Sequence, residues 1–189
     1  MPGRAHPHLN NVRLRRSYLA YKDKPIREPA FVTWLQVGPW FADIRVPYED
    51  GDEPQAAFAG YVEWEDPNLA FRHQVSLDGT LSETDIGEIE MKPYGCLERG
   101  TMKRAGQEPV PFEEQWIASP SRKESVVRAM MDEEDDIVAI DVCVDGERVV
   151  VTHGWAGHYV GDRLSRQCGQ GEAVDLTREE WVTLVSTNT

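Results

Sequence analysis

The segment Phe31 to Pro47, FVTWLQVGPWFADIRVP, constrains the fold of this chain more than any other stretch. Its first part, up to Val37, is rich in apolar, aromatic and β-branched residues, which are typical of strands. Gly38 and Pro39 interrupt this run, because glycine adopts backbone conformations closed to other residues and proline has no N–H group for a strand ladder. The segment therefore predicts two strands separated by a turn.

The second of these strands carries different side chains on its two sides. Successive residues of a strand point to opposite sides of the sheet. One side consists of Trp40, Ala42, Ile44 and Val46. The other side consists of Phe41, Asp43 and Arg45. Both sides contain an aromatic residue, so the pattern predicts a strand and leaves open which side faces the protein interior.

Most of the remaining chain shows the same kind of pattern. The alternation is clearest from Leu69 to Leu77, and Asp145-Gly146 joins two β-branched runs in the way that a type I′ hairpin turn requires. We count about nine or ten strands, nearly all joined by short turns, which is typical of an all-β meander. Such a chain either closes into a barrel or stacks as two sheets. Because closure removes exposed strand edges, we predict a single antiparallel, up-and-down, lipocalin-like barrel of about ten strands.

Only the C-terminal residues suggest a helix. Thr177 and Glu180 have the spacing of a capping box, in which the two side chains accept hydrogen bonds from free backbone N–H groups at the start of a helix. An apolar stripe follows at helical spacing and consists of Trp181, Leu184 and Val185. We therefore expect a short helix over residues 177–187.

Length and composition indicate one globular domain. The 189 residues are enough to bury a core, and six Trp, six Tyr and five Phe supply large side chains for it. We see no linker and no repeat, so we expect residues 1–189 to form a single β-barrel domain. At its start, residues 1–11 have no periodicity, and we expect a loose tail there.

Composition also argues against several classes of partner. A net charge of −13 disfavours nucleic acids and anionic lipid surfaces, which bind basic proteins. No apolar run is long enough for a transmembrane helix, and the first residues lack the apolar core of a secretory signal. The three cysteines include no CxxC pair and do not suggest a disulfide framework. We expect a cytoplasmic protein with reduced thiols.

Five blocks between Arg15 and Arg163 resemble blocks of one known family. They are WLQVGPWFADIRVP, FAGYVEW, TDIGEIE with CLERG, FEEQW and VVVTHGWAGHYVGDRL. The most specific are WLQ…FADIR and DIG…LERG, and LRRSYLAY matches a basic and aromatic segment that precedes the first long strand. The family consists of uncharacterised lipocalin-like β-barrel proteins. The resemblance implies a calycin-type barrel around a central cavity and does not imply a particular activity.

Three side chains are candidates for acid–base chemistry in such a cavity. Glu114 shares a strand side with Trp116, and a carboxylate buried beside tryptophan has a raised pKa. Asp43 lies two residues from Arg45, so the two side chains can meet. His73 lies on the apolar side of its strand and is a candidate pocket base or haem ligand. The alternatives are a solvated glutamate, an outward-facing ion pair that contributes little and a hydrogen-bonded core histidine.

A second group of residues is predicted to bind the ligand through aromatic surface or polar anchors. The group consists of Trp34, Gln36, Phe41, Arg45, Phe71 and Trp116. We predict no metal and no cofactor. His153 and His158 flank a Gly-Trp-Ala-Gly bend and, with Asp162 or Glu147, offer ligands for a metal site, but neither an HExxH motif nor a Cys/His pattern is present.

Three functional hypotheses follow from this reading. The leading one is a protein that binds a small, largely apolar molecule in a barrel cavity. The second is a barrel enzyme of the cyclase or isomerase type, for example in natural-product biosynthesis, that uses one cavity acid or base. The third is a ligand-free protein-interaction module that uses its acidic surface. An open cavity favours the first two, whereas a filled barrel favours the third.

Overall fold

The computed structural model describes residues 3–22, 24–49, 54–81, 84–102 and 108–187. All regular secondary structure within these ranges is β-strand. The strands are β1 (Val12–Tyr21), β2 (Ala30–Val37), β3 (Trp40–Pro47), β4 (Ala56–Glu65), β5 (Asn68–Ser76), β6 (Asp85–Lys92), β7 (Gly95–Met102), β8 (Val110–Pro120), β9 (Ser125–Met131), β10 (Ile137–Val144), β11 (Glu147–Thr152), β12 (Trp155–Val160), β13 (Arg163–Gly169) and β14 (Val182–Thr187). Among the described residues there is no helix of the length and apolar character that a membrane crossing requires.

Strands β1 to β8 form a closed antiparallel barrel in chain order, and β8 pairs back onto β1. The predicted all-β, up-and-down barrel is therefore confirmed, but the closed sheet has eight strands rather than about ten. The later strands form a separate sheet in the order β13-β12-β11-β10-β9-β14. A strand pattern in the sequence reports local alternation and does not say which sheet a strand joins, so the prediction placed these strands in the wrong sheet.

The sheet packs against the outside of the barrel, and one cluster of buried side chains spans the two. The barrel contributes Leu35, Val37, Trp40, Ala42 and Ile44, among others. The sheet contributes Val127, Ile140, Val142, Val149 and Val151, among others. Phe41 and Asp43, on the opposite side of β3, are also buried. Both sides of β3 are thus interior, one under the sheet and one inside the barrel.

Both turns that the sequence predicts most strongly are present. Gly38 has φ +59° between β2 and β3. Asp145 and Gly146, between β10 and β11, have φ of 53° and 77°. Positive φ at both central residues is what a type I′ turn requires. The two predicted hairpins are confirmed.

Residues 3–11 cover one end of the barrel, which contradicts the loose tail predicted for residues 1–11. Leu9 is completely buried in the barrel's inner cluster, and the His6 ring lies 4.1 Å from the Trp64 ring in an edge-on arrangement. The Trp64 N–H donates a hydrogen bond to the Arg4 carbonyl. The segment is held by these side-chain and backbone contacts without forming a strand or helix. Met1 and Pro2 lie outside the described residues.

The helix predicted over residues 177–187 is wrong. Val182–Thr187 forms β14, which pairs antiparallel with β9. The hydroxyl of Thr177 donates to the Asp175 carboxylate at 2.7 Å instead of capping a helix. A helix of this length gains little stability by itself. As a strand, the same β-branched residues form backbone hydrogen bonds with the edge of β9. The capping-box spacing was therefore coincidental.

Candidate functional site

Within the part of the chain that the structure describes, the barrel end opposite residues 3–11 is not closed over. Strands β5 and β6 pair where Asn68–Phe71 faces Asp85–Glu88, and no further pairs join them toward this end within the described ranges. A cavity of about 820 Å³ lies in the opening, and we call it the mouth cavity. Its lining includes Arg45, His73, Asp85, Glu98, Met102 and Phe112.

The barrel interior beneath the mouth cavity is almost completely filled. The remaining void there measures about 10 Å³, room for no more than one water molecule. Its aromatic lining consists of Trp34, Phe41, Phe58, Phe71 and Trp116. Trp34 contacts both Phe71 and Trp116 edge-on, with ring centroids 5.3 and 5.4 Å apart. These rings form a rigid aromatic floor, so a ligand has space above it rather than within it.

A chain of alternating charges crosses the barrel between the floor and the mouth. The Arg16 side chain is inaccessible to solvent and donates to both oxygens of Glu28, at 2.9 and 3.0 Å. Its Nη1 also donates to Glu114 Oε1 at 2.6 Å. Arg45 Nη1 lies 3.6 Å from the same Glu114 oxygen, and Arg45 Nε donates to Asp43 at 3.1 Å. The negative charge of Glu114 is therefore stabilised from two sides.

Glu98 is a second buried carboxyl group directly opposite Glu114. The two residues are cross-strand partners in the β7–β8 ladder and are 5% and 2% exposed. Trp116 Nε1 donates to Glu98 Oε2 at 3.0 Å, and no ion pair involves Glu98 within the described residues. Burial, and then the charge of Glu114, raise the pKa of Glu98 well above its usual range. The site therefore holds two facing buried carboxyl groups, and burial favours the protonated form of Glu98.

Gly87 on β6 provides the space that Glu98 occupies. A Cβ atom at this position would lie 2.5 Å from Glu98 Oε1 and 2.7 Å from its Cγ. Any larger residue at position 87 would therefore push the carboxyl group away. The backbone of β6 and the indole of Trp116 together fix the position of the acid.

His73 and Asp43 complete the titratable groups of the site that the sequence predicted. Burial lowers the pKa of His73, and its ring stacks on Phe58 with centroids 4.5 Å apart. His73 Nε2 is buried and has no hydrogen-bond partner among the residues that the structure describes. Burial raises the pKa of Asp43, an effect that Arg45 opposes. His73 is thus a neutral imidazole on the wall of the mouth cavity.

The structure brings most of the predicted site residues together. His73, Glu114 and Arg45 line the mouth cavity, and Asp43 lies just below them. The predicted ligand-binding residues Trp34, Phe41, Phe71 and Trp116 form the floor. Gln36 lies apart from both cavities and donates from Nε2 to the Gly38 carbonyl. The catalytic and ligand-binding roles of these residues remain predictions.

Sequence reasoning missed two central residues, Glu98 and Arg16. Alternation along β7 places Glu98 on the same side as the completely buried Cys96, which was a signal available in the sequence. Its position opposite Glu114 was not available, because that depends on the register between two strands, which the pattern of neither strand sets. Arg16 was visible only as one member of an alternating strand, with nothing to indicate a buried cation.

The histidines considered for a metal lie elsewhere. His158 is buried between the barrel and the sheet, where its Nε2 lies 2.6 Å from Glu147 Oε1. Arg13 donates to the other oxygen of Glu147 at 2.6 Å. Within the ranges that the structure describes, no group of three or more His, Cys, Asp or Glu side chains is arranged to hold a metal ion. The three cysteines are free thiols.

No protein-family model, curated protein or solved structure matches this chain. The architecture itself, a closed antiparallel barrel of eight strands, is consistent with the calycin-type barrel that the sequence resemblance implies.

The arrangement combines four kinds of polar group around one cavity. They are the Glu98 carboxyl group, whose pKa is raised, the Glu114 carboxyl group, the His73 imidazole, whose pKa is lowered, and the Arg45 guanidinium. Together they can hydrogen-bond a polar ligand group from several directions and transfer protons to or from it. Met102 and Phe112 add apolar surface at the rim.

Proposed function

We propose that this protein binds a small molecule at the open end of its barrel, as a lipocalin-like binding protein of the cytoplasm. The observation that carries the proposal is the mouth cavity of about 820 Å³, which leads directly to buried charged groups. Cavities of roughly 300–1,000 Å³ commonly hold small ligands in proteins. An interaction module without a ligand predicts a filled barrel, and here only the lower part of the barrel is filled.

The lining supports an amphipathic ligand rather than a largely apolar one. Covering the site with a purely apolar molecule costs free energy, because polar groups such as Glu98 and the His73 Nε2, which has no hydrogen-bond partner in the described residues, then lose contact with water. A ligand with one polar end satisfies them. Its apolar part then contacts Met102 and Phe112 at the rim.

Native mass spectrometry of the protein purified from its own host tests the proposal. We expect a bound molecule of defined mass that is released on denaturation. Met102→Trp, which fills the mouth cavity, should abolish its retention. Val160→Trp on the exposed surface of β12 is the matched control and should retain it. An empty wild-type protein that shows no thermal shift with haem, fatty acids or polyketides would contradict the proposal.

A second candidate is an enzyme of the cyclase or isomerase type that uses the same cavity. The observation that favours it is the pair Glu98 and Glu114, two buried carboxyl groups that face each other across the β7–β8 ladder, of which Glu98 has a raised pKa. Neighbouring carboxyl groups of which one has a raised pKa are a recurring feature of acid–base active sites.

The binding protein and the enzyme differ in what happens to the ligand. The molecule released from the host protein is incubated with fresh protein, and products of unchanged mass are separated by chromatography. An enzyme converts it, and Asp43→Asn or Glu114→Gln should abolish conversion while binding persists. A binding protein returns the molecule unaltered with every variant.

A further inference from the structure

We infer that Glu98 and His73 act as an acid–base pair that enolises a small, neutral carbonyl compound in the mouth cavity. The inference rests on the proposed binding of a small molecule there. It adds the substrate class, the reaction class and a catalytic residue, Glu98, that the sequence did not suggest.

The geometry of two strands makes Glu98 the acid. Glu98 and Glu114 point into the barrel from directly opposite positions, and both are almost inaccessible to water. Burial and mutual repulsion disfavour ionising both of two facing carboxyl groups, so a proton on one of them is favoured. Arg16 and Arg45 flank Glu114, whereas Glu98 has no ion-pair partner in the described ranges. The proton therefore stays on Glu98.

The same contacts indicate which atom carries the proton. Glu98 Oε2 accepts the Trp116 indole N–H, which leaves Oε1 as the oxygen available to hold the proton. Glu98 lines both the mouth cavity and the void beneath it, so it can donate a hydrogen bond to a ligand above the aromatic floor. A carbonyl oxygen is the natural acceptor for such a donor.

His73 is the base that remains available. The carboxylates of Glu114 and Asp43 are engaged by Arg16 and Arg45. His73 instead presents a buried Nε2 without a hydrogen-bond partner in the described residues and lines the same cavity. With its proton on Nδ1, the neutral ring accepts a proton at Nε2.

The charges of the cavity favour a neutral substrate over an anion. Four acidic residues line the mouth, namely Asp85, Glu88, Glu98 and Glu114. Arg45 and Arg99 are the basic ones, and both already bind carboxylates. An anionic ligand would meet net repulsion, and an amine offers no lone pair once protonated. A ketone or aldehyde accepts the Glu98 proton without adding charge.

The step balances with no other reactant. His73 removes a proton from the carbon next to the carbonyl, and the C–H electron pair forms a carbon–carbon double bond. The carbonyl π electrons move to its oxygen, which takes the Glu98 proton. The imidazolium then returns its proton to a more distant carbon of the conjugated enol, and the enol O–H returns its proton to Glu98. The net result is a shifted double bond, with no atom gained or lost.

A β,γ-unsaturated cyclohexenone tests this chemistry, because its conjugated isomer absorbs ultraviolet light more strongly. Wild-type protein should accelerate the isomerisation and should also exchange the ketone's α-protons in deuterium oxide, observed by NMR. Glu98→Gln and His73→Gln should each lower both rates by about 10²- to 10⁴-fold. Glu133→Gln, in the exposed turn between β9 and β10, is the matched control and should leave both rates unchanged.

Two outcomes would overturn the inference. One is wild-type activity in both folded variants, with folding verified by thermal unfolding; if Glu98→Gln does not fold, His73→Gln decides. The other is a wild-type protein that retains its host molecule in native mass spectrometry yet neither isomerises the enone nor exchanges its protons. That second outcome leaves the proposed binding function standing. Failure to bind any molecule contradicts the binding function itself.

Discussion

Arg16 is the residue on which the charged part of the barrel depends most. Its guanidinium is inaccessible to water and binds Glu28 and Glu114 at the same time. A buried ion pair gains little overall, because desolvation offsets attraction, but removing one partner leaves the others charged and unpaired. Arg16 therefore contributes mainly by pairing with one buried and one half-buried carboxyl group.

Replacing Arg16 with methionine should lower the free energy of unfolding by about 3–5 kcal/mol, the cost of leaving its partners unpaired. Urea denaturation measures the change. The control is Arg72→Met, which breaks a pair with Glu63 whose side chains are 42% and 40% exposed. That loss should stay below about 1 kcal/mol. Equal losses for the two variants would contradict the difference in burial.

Replacing Glu98 with glutamine should change how stability depends on pH. Between the ordinary pKa of 4.5 and the raised pKa, folded Glu98 holds a proton that the unfolded chain has released. The free energy of unfolding of the wild type therefore falls with rising pH in this window, by at most about 1.4 kcal/mol per unit. Glu98→Gln lacks this loss, so its stability relative to wild type should rise with pH.

Urea denaturation at a series of pH values measures this difference. Glu114, Asp85, Arg45 and Trp116 surround Glu98 and remain in the variant, so the comparison isolates one titration. Glu133→Gln should show the wild-type pH profile. Parallel profiles for wild type and Glu98→Gln would contradict a neutral Glu98.

At the scale of elements, Asp145 links the β10–β11 turn to the connection between β8 and β9. It occupies the β10–β11 turn with positive φ, and its Oδ1 accepts from Ser121 Oγ and from the N–H groups of Arg122 and Lys123, each at 2.9 Å. The turn is thereby fastened to the segment between β8 and β9. One residue thus fixes both a hairpin and the passage from barrel to sheet.

Replacing Asp145 with alanine should lower the free energy of unfolding by about 2 kcal/mol, since it removes these hydrogen bonds and places a Cβ-bearing residue without a local partner at positive φ. Asp145→Asn keeps an acceptor and tolerates positive φ, so its loss should be clearly smaller. Thermal and urea unfolding measure both. If the asparagine variant is as unstable as the alanine variant, the lost stability comes from the negative charge of Asp145, which would contradict a role for its hydrogen bonds and its φ.

The C-terminal element shows where local signals are insufficient. Residues 177–187 carry a capping-box spacing and a helical apolar stripe, yet also several β-branched residues. Pairing with β9 decides between them. The local pattern also fits a helix. The strand is more stable because it pairs with the edge of β9, which lies more than fifty residues earlier in the chain.

At the scale of the whole molecule, barrel and sheet share one core. A defect in the sheet should therefore reduce the stability of the barrel. Ile140, completely buried at their junction, is the clearest position to test this expectation of a single domain.

Ile140→Ala should lower the free energy of unfolding by about 2–5 kcal/mol, the cost of a large-to-small change in a core. The barrel and the sheet should still unfold together, so tryptophan fluorescence and circular dichroism should give the same single midpoint. Val138→Ala on the partly exposed face of β10 should change stability by less than about 0.5 kcal/mol. Two separate transitions would contradict a shared core.

The sequence by itself determined most of the strands, the two strongest turns and several residues of the candidate site, because alternation and turn chemistry depend on residues close together in the chain. It placed Asp43, Arg45, His73 and Glu114 on strands able to line a cavity. The tertiary structure alone decided that β9 to β14 leave the barrel, that residues 177–187 form a strand, and that Glu98 faces Glu114. These features depend on register and burial between distant segments, which no local pattern encodes.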